Sequence, residues 1–324
     1  MASLRLTLPD PQLRSKFLAL QAREDIADLL EVTDYQLRYH LYISSPQKRY
    51  KNFQIPKRSG GTRQISTPIS SLKIIQRKLN QVLQAVYRPK TCNHGFVRQK
   101  SVLTNAREHV RRRFVLNIDL ENFFPSMNFG RVRGMYMAPP YNLSASVATV
   151  LAQICCFNNE LPQGAPTSPI VSNMSCAKLD DQLRDFARKH RCLYTRYADD
   201  MTFSTYQSRF PEALARYNDS TGGTELGSEL EGLIIQNGFK VNKAKIRLKT
   251  TAKRQQVTGL VVNRIVNVRR NYHNQIRAML HAWEKYGLQA AEEEFARKYK
   301  SGGRLAIRTN ISFPRIVKGK IEFL

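Results

Sequence analysis

The spacing of hydrophobic and polar positions changes several times along the chain, and each change marks an element. Over residues 12–45, Leu18, Ile26, Leu29, Leu30 and Leu37 recur at helical spacing. Tyr50 to Pro56 and Thr62 to Ser66 are short runs of strand formers around Lys57-Arg58-Ser59-Gly60-Gly61, a hairpin signal with a basic, glycine-containing tip. The helical period returns over 69–87 through Leu72, Ile75, Leu79, Val82 and Val86. In Phe114-Val115-Leu116-Asn117-Ile118-Asp119 it falls to two: Phe114, Leu116 and Ile118 take one face, and Asp119 takes the other with Val115 and Asn117.

Ser144 opens a helix that runs to Phe157, and a loop follows from Asn158 to Ala165. Thr167 as a capping residue, with Pro169 in the first turn, predicts one further helix to about Lys189. Residues 193–197 and 201–204 are strand formers, so the segment reads as a hairpin with Asp199 and Asp200 at its turn. An acidic, glycine-containing stretch from Asp219 to Gly232 leads to an aliphatic strand and the lysines of Gly238 to Lys245. Val257 to Asn263 reads as a strand with a glycine interruption. Residues 271–299 form an amphipathic helix with Ile276, Leu280 and Trp283 on one stripe.

Composition narrows the partner. The chain has 324 residues, 42% hydrophobic and 24% charged, which is enough apolar material for a real core. Its formal net charge is +27. Such an excess repels itself unless a polyanion offsets it, so nucleic acid is the leading partner and a membrane surface the other candidate. No apolar run is long enough to span a bilayer, and no signal peptide is read at the N-terminus, so a cytoplasmic protein is expected. The five cysteines form no Cys-x-x-Cys pair and read as reduced thiols, neither a zinc site nor a disulfide framework.

The candidate chemistry starts at Asp199 and Asp200. An Asp-Asp pair at a hairpin tip is by itself ordinary turn chemistry. Two adjacent carboxylates also repel unless a cation bridges them, and hard divalent ions such as Mg²⁺ prefer carboxylate oxygen. If the Asp119 strand lies beside the hairpin, three carboxylates converge, as a two-metal nucleotidyl transfer requires. Other segments add to this. Phe123 and Phe124 follow the acidic strand, and an aromatic there could stack on a sugar and exclude a 2′-hydroxyl. Gln163-Gly164 sits at a helix entrance, where glycine permits close backbone approach. Lys57, Arg58 and Arg63 on a basic hairpin could close over a triphosphate.

The order of these blocks resembles a reverse transcriptase from about Asn52 to Phe323. The resemblance rests on Tyr197-Ala198-Asp199-Asp200, on Leu161-Pro162-Gln163-Gly164 leading to Ser168-Pro169, and on the upstream Asp119 strand. Asn105-Ala106-Arg107-Glu108-His109, Val257-Thr258-Gly259 and His94-Gly95-Phe96 are similar to elements of the bacterial retron enzymes. The resemblance implies an α+β, right-hand polymerase with an antiparallel palm sheet packed on helices and a helical thumb. It implies N-terminal helices and fingers over 1–113, palm over 114–130, fingers over 131–165, palm over 166–264 and thumb over 265–324.

It further implies two Mg²⁺ ions at Asp119, Leu120, Asp199 and Asp200, with the three aspartates catalytic. Lys57, Arg63, Phe124, Gln163 and Lys245 would bind the dNTP, with Phe124 as the gate against ribonucleotides. Asn105, His109, Val257, Thr258 and Gly259 would serve RNA recognition or priming, the first two from the surface. The implied partners are a cognate non-coding RNA, its branched RNA–DNA product (msDNA), a retron effector protein and a higher-order assembly, in an anti-phage setting. Two alternatives stay open at this point: a non-retron bacterial reverse transcriptase, of the group II intron-like or phage-exclusion type, and an RNA-binding scaffold that holds an effector inactive.

Overall fold

The computed structural model describes residues 5–57, 60–218, 223–301 and 312–324. Arg58, the start of the acidic stretch at Asp219, and part of the expected thumb lie outside the described residues.

The apolar period over 12–45 is divided among short helices: α1 (Asp10–Leu18), α2 (Arg23–Leu29), α3 (Asp34–Arg38), a π-helical turn at Tyr39–Ile43 and α4 (Pro46–Arg49). Local capping makes the division. Thr33, for instance, accepts from the Gln36 N–H and starts α3. Strands β1 (Tyr50–Pro56) and β2 (Thr62–Pro68) form the basic hairpin, with Ile55 opposite Arg63. Only the root of β1 is buried, where Tyr50 stacks on Phe157. Helix α5 (Ser70–Val86) buries Leu72, Ile75, Leu79, Val82 and Val86, the positions its period marks. Ser101 caps α6 (Val102–Arg107) by accepting from the Leu103 and Thr104 N–H groups.

Strand β3 (Phe114–Glu121) follows, then α7 (Phe129–Met137) and α8 (Ala145–Cys155), which Ser144 caps. The single helix predicted from Thr167 is two, α9 (Ser168–Ser175) and α10 (Ala177–Lys189), separated at Cys176. Thr167 makes no side-chain capping bond to the helix. Next come β4 (Leu193–Tyr197), β5 (Asp200–Thr205), β6 (Ala215–Asn218), β7 (Gly223–Leu226) and α11 (Ser228–Gln236). Strand β8 (Lys240–Val241), a 3-10 turn at Lys243–Lys245 and β9 (Arg247–Thr250) follow. The strand expected at Val257–Asn263 is instead a small hairpin, β10 (Gln256–Val257) and β11 (Leu260–Val261). Thr258 and Gly259 both take positive φ at its turn, which folds the chain back where continuous strand was expected.

The central sheet is antiparallel and runs β4-β5-β3, with β9 and β8 pairing successive parts of the far edge of β3. Alternation along β3 sorts its residues as the sequence predicts. Leu116, Ile118 and Leu120 enter the main core with residues of α5, α7, α8 and α10. Val115 joins a smaller cluster with Ala106, Val257, Leu260 and Val262 on the other face. The C-terminal helices α12 (Arg270–Ser301) and α13 (Phe313–Glu322) share a cluster that holds Trp283, Phe313 and Val317. Helix α12 breaks at Gly287, where φ is 80°. Leu280, expected on the buried stripe, is exposed. The architecture is α+β: an antiparallel sheet on helices, a projecting basic hairpin and a helical C-terminal pair.

Candidate active site

Strand register brings the acids together. Asp119 of β3 stands directly opposite Asp200, the first residue of β5. Tyr197 pairs with Asp200 across the β4–β5 hairpin, so its turn is Ala198-Asp199, with Ala198 at φ 55°. The Leu120 N–H donates to the Asp199 carbonyl at 3.0 Å and ties the turn to β3. Burial and the charge of Asp119 raise the Asp199 pKa. Desolvation by the surrounding protein, then the charges of Asp199 and Asp119, push Asp200 up to about 7, although its surface still opens to the cleft. Lys245 Nζ lies 2.9 Å from both Asp119 carboxylate oxygens. Among the described residues no three His, Cys, Asp or Glu side chains form a ready-made metal cage. The donor set is nevertheless three mutually repelling carboxylates, which a hard cation would relieve. Leu120 buries its side chain in the core, so only its main chain could meet such a cation.

The neighbouring residues sort themselves by burial. Phe123 is in the core, stacked on Phe239. Phe124 is half-buried, edge-on to Phe123 and tilted against Phe96, whose ring in turn meets Tyr197. Of the two phenylalanines, Phe124 is therefore the one not sealed in the core, and it is linked to Tyr197 through the Phe96 ring. The Gln163 carbonyl accepts from the Ser66 N–H at 2.9 Å and fastens the loop to β2. Gly164, at φ 124°, would carry a Cβ only 3.0 Å from the Ser66 carbonyl and 3.1 Å from Ile65, so this contact needs glycine. Lys57 and Arg63 are exposed on the hairpin, and Arg63 is close enough to lower the Asp199 pKa against the larger upward effects.

Sequence reasoning missed what stands behind the turn. Arg196 is fully buried and makes a bidentate pair with fully buried Asp180, both contacts at 2.7 Å. Its Nη1 also donates to the Ala198 carbonyl at 3.1 Å and to Asn173 Oδ1 at 3.2 Å. Tyr194 donates to Asp180 as well. Gly95 presses on the same turn: a Cβ there would lie 2.5 Å from the Ala198 nitrogen. The available signals were an arginine in a strand of core residues and Asp180 beside Leu179 and Leu183 on the buried stripe of α10.

The segments expected to recognise RNA divide into two groups. Thr258 and Gly259 line a cleft of about 520 Å³ that also holds Asp119, Asp200 and Lys245. Arg247, Lys249, Lys253, Arg254 and Arg269 line it too, so the acids share the cleft with these cations. Val257 is buried beneath. Asn105 and His109, in contrast, are fully buried. Both His109 nitrogens are engaged at 2.7 Å, Nδ1 with Ser204 Oγ and Nε2 with Thr195 Oγ1. The surface position expected of this pair does not fit: its side chains sit behind the catalytic-type hairpin, out of reach of a bound strand.

Residues 55–262 match the family described as reverse transcriptase (RNA-dependent DNA polymerase). The chain is 35% identical to the retron Mx65 reverse transcriptase of Myxococcus xanthus, covering 86% of this chain and 67% of that protein. It is 32% identical to the retron Ec86 reverse transcriptase of Escherichia coli, covering 83% and 81%, respectively. Identity to the retron Mx162 enzyme of Myxococcus xanthus is 33%, over 82% of this chain and 59% of that one. Among solved structures it is similar to a telomerase of Candida albicans in complex with a TWJ fragment of telomeric RNA, with TM-score 0.47, 13% identity, and coverage of 86% of this chain and 61% of that chain. The family's members use divalent metal ions and an RNA template. These matches favour the retron enzyme over the non-retron reverse transcriptase left open by the sequence: the chain belongs to the reverse transcriptase family, as the RNA-directed DNA polymerase of a retron.

Proposed function

We propose that Asp119, Asp199 and Asp200 are the catalytic carboxylates and would hold two Mg²⁺ ions, joined by the main chain of Leu120. The observation that carries this is the register that sets Asp119 opposite Asp200 with Asp199 in the adjoining turn. Bound there, the ions would supply charge neutralisation and a more acidic attacking hydroxyl. The chain's own residues position the reactants. Lys57 and Arg63 approach the triphosphate from the hairpin, and Lys245 from beside Asp119. Gln163 contacts the sugar region from a loop fastened to β2. Phe124 fills the space a 2′-hydroxyl would need.

The template is a structured non-coding RNA, whose phosphates meet the cations that share the cleft with Thr258 and Gly259. A 2′-hydroxyl of that RNA primes synthesis and leaves a branched RNA–DNA, msDNA. The setting is cytoplasmic anti-phage defence, in a higher-order assembly with an effector protein. The similarity to retron enzymes supports these last points. No helix among the described residues is long and apolar enough to cross a membrane.

The test is to express the chain with its native locus, isolate the nucleic acid that copurifies and sequence it before and after debranching. A debranching-sensitive DNA, absent with Asp200→Asn, is expected. Only unbranched DNA from the wild type would overturn the priming assignment.

A further inference from the structure

Residues 102–113 join two structures that appear in the sequence as separate motifs. On one side stands His109, with Thr195 of β4 and Ser204 of β5 each 2.7 Å from a ring nitrogen. Burial, with a smaller effect of Arg112 and His94, pushes its pKa down to about 3. A neutral imidazole donates at one nitrogen and accepts at the other, so the ring clasps both strands with hydrogen bonds of opposite polarity. Those strands carry the Ala198-Asp199 turn and Asp200.

On the other side, Ala106 packs with Val257, Leu260 and Val262 in one small cluster. The Val102 carbonyl accepts from Thr258 Oγ1 at 3.3 Å, and the Arg111 N–H donates to the Val262 carbonyl at 3.0 Å. Between the two sides lies Asn105, whose buried amide has a partner at neither Oδ1 nor Nδ2.

We infer that residues 102–113 couple the β10–β11 hairpin to the β4–β5 hairpin, so that RNA seated at Thr258-Gly259 adjusts the acids through His109. His109 is then a positioning residue inside the protein. The chain of contacts is contiguous, and both ends carry motifs with a stated task. The inference rests on the RNA reading of the β10–β11 hairpin given above, and the test separates the two.

Three variants of the full-length protein carry the test. Thr258→Val removes the hydroxyl bond to Val102. His109→Gln breaks the clasp from the segment. Thr195→Val breaks it from the strand at nearly constant volume, and so serves if His109→Gln folds poorly. Hydrogen exchange is measured first. Coupling predicts that Thr258→Val speeds exchange in β4 and β5, and that Thr195→Val speeds it in β10 and β11.

The second measurement is kcat for extending a DNA primer annealed to an RNA template. Thr258→Val lowers it roughly threefold to tenfold in the wild-type background, and less than about twofold once Thr195→Val is present. Exchange changes confined to the mutated side, with effects on kcat that simply multiply, would overturn the coupling. Affinity for the copurifying RNA reads the other assignment. If Thr258→Val binds that RNA as wild type does yet loosens β4 and β5, the coupling stands and the RNA reading fails. If affinity falls while exchange stays local, the reverse holds.

Discussion

Desolvation, together with the charges of Asp199 and Asp119, moves the Asp200 carboxyl from its ordinary 3.8 to about 7. Between those values the folded chain keeps a proton that the unfolded chain has released. The unfolded state binds fewer protons, so the stability of the metal-free protein falls as pH rises from about 4 to about 7. Asp200→Asn removes that ionisation. In chelator, its Tm at pH 8 should exceed that of the wild type by about 1–2 °C, because Asp200 opens to the cleft and solvent screening leaves about one kcal/mol or less of the effect. The gain should vanish at about pH 3, below the ordinary carboxyl pKa, where the site is neutral in both the folded and the unfolded chain. The variant should also lose primer extension while it retains RNA affinity, since no phosphate-binding cation is touched. Equal Tm differences at both pH values would show that the carboxylates do not strain one another. The sequence made the three acids legible, because strand alternation and a turn signal are local. The size of the shift was not legible, because it depends on which residue of β3 faces Asp200.

The β4–β5 hairpin illustrates the same divide for a whole element. Its strands are readable from their strand formers, and its turn from the acids, although only Asp199 lies in the turn and Asp200 begins β5. What holds the turn was hidden, because Asp180 and Arg196 lie on different elements and meet only through packing. For the same reason the split of the predicted Thr167–Lys189 helix and the fold-back at Thr258-Gly259 escaped a one-dimensional reading. The buried pair permits a clean separation of fold from geometry. Arg196→Met alone leaves Asp180 charged and unpaired in the core, and should cost about 3–5 kcal/mol. Adding Asp180→Leu and Tyr194→Phe removes the stranded charge and the hydroxyl it accepted, and should restore most of the Tm. It cannot restore the bond from Arg196 to the Ala198 carbonyl. The kcat of the triple variant should therefore stay down by roughly tenfold or more, since small displacements of reacting groups are costly. Recovery of both Tm and kcat would reduce the pair to a structural role.

At the scale of the molecule, charge is the property composition states most clearly, yet composition cannot say where the charge lies. With 52 Lys and Arg against 25 Asp and Glu, a polyanion partner is expected from the sequence alone. The fold supplies the placement: Lys245, Arg247, Lys249, Lys253, Arg254 and Arg269 share one cleft with Asp119 and Asp200. Each phosphate neutralised there releases a condensed counterion, so affinity for RNA must fall with salt. If the five cations other than Lys245, which pairs with Asp119, each take one phosphate, log affinity should fall against log salt with a slope of roughly −3.5 to −4.5. Lys249→Gln and Arg254→Gln should each weaken binding almost uniformly across RNA sequences and make the slope shallower by about 0.7–0.9. Lys48→Gln, exposed and absent from the cleft, should leave the slope within about 0.3 of the wild-type value on the same argument. A flat salt response would mean a small, shape-driven interface. Equal slope changes for Lys48→Gln and Lys249→Gln would mean that the charge acts as a diffuse field, not centred on the cleft.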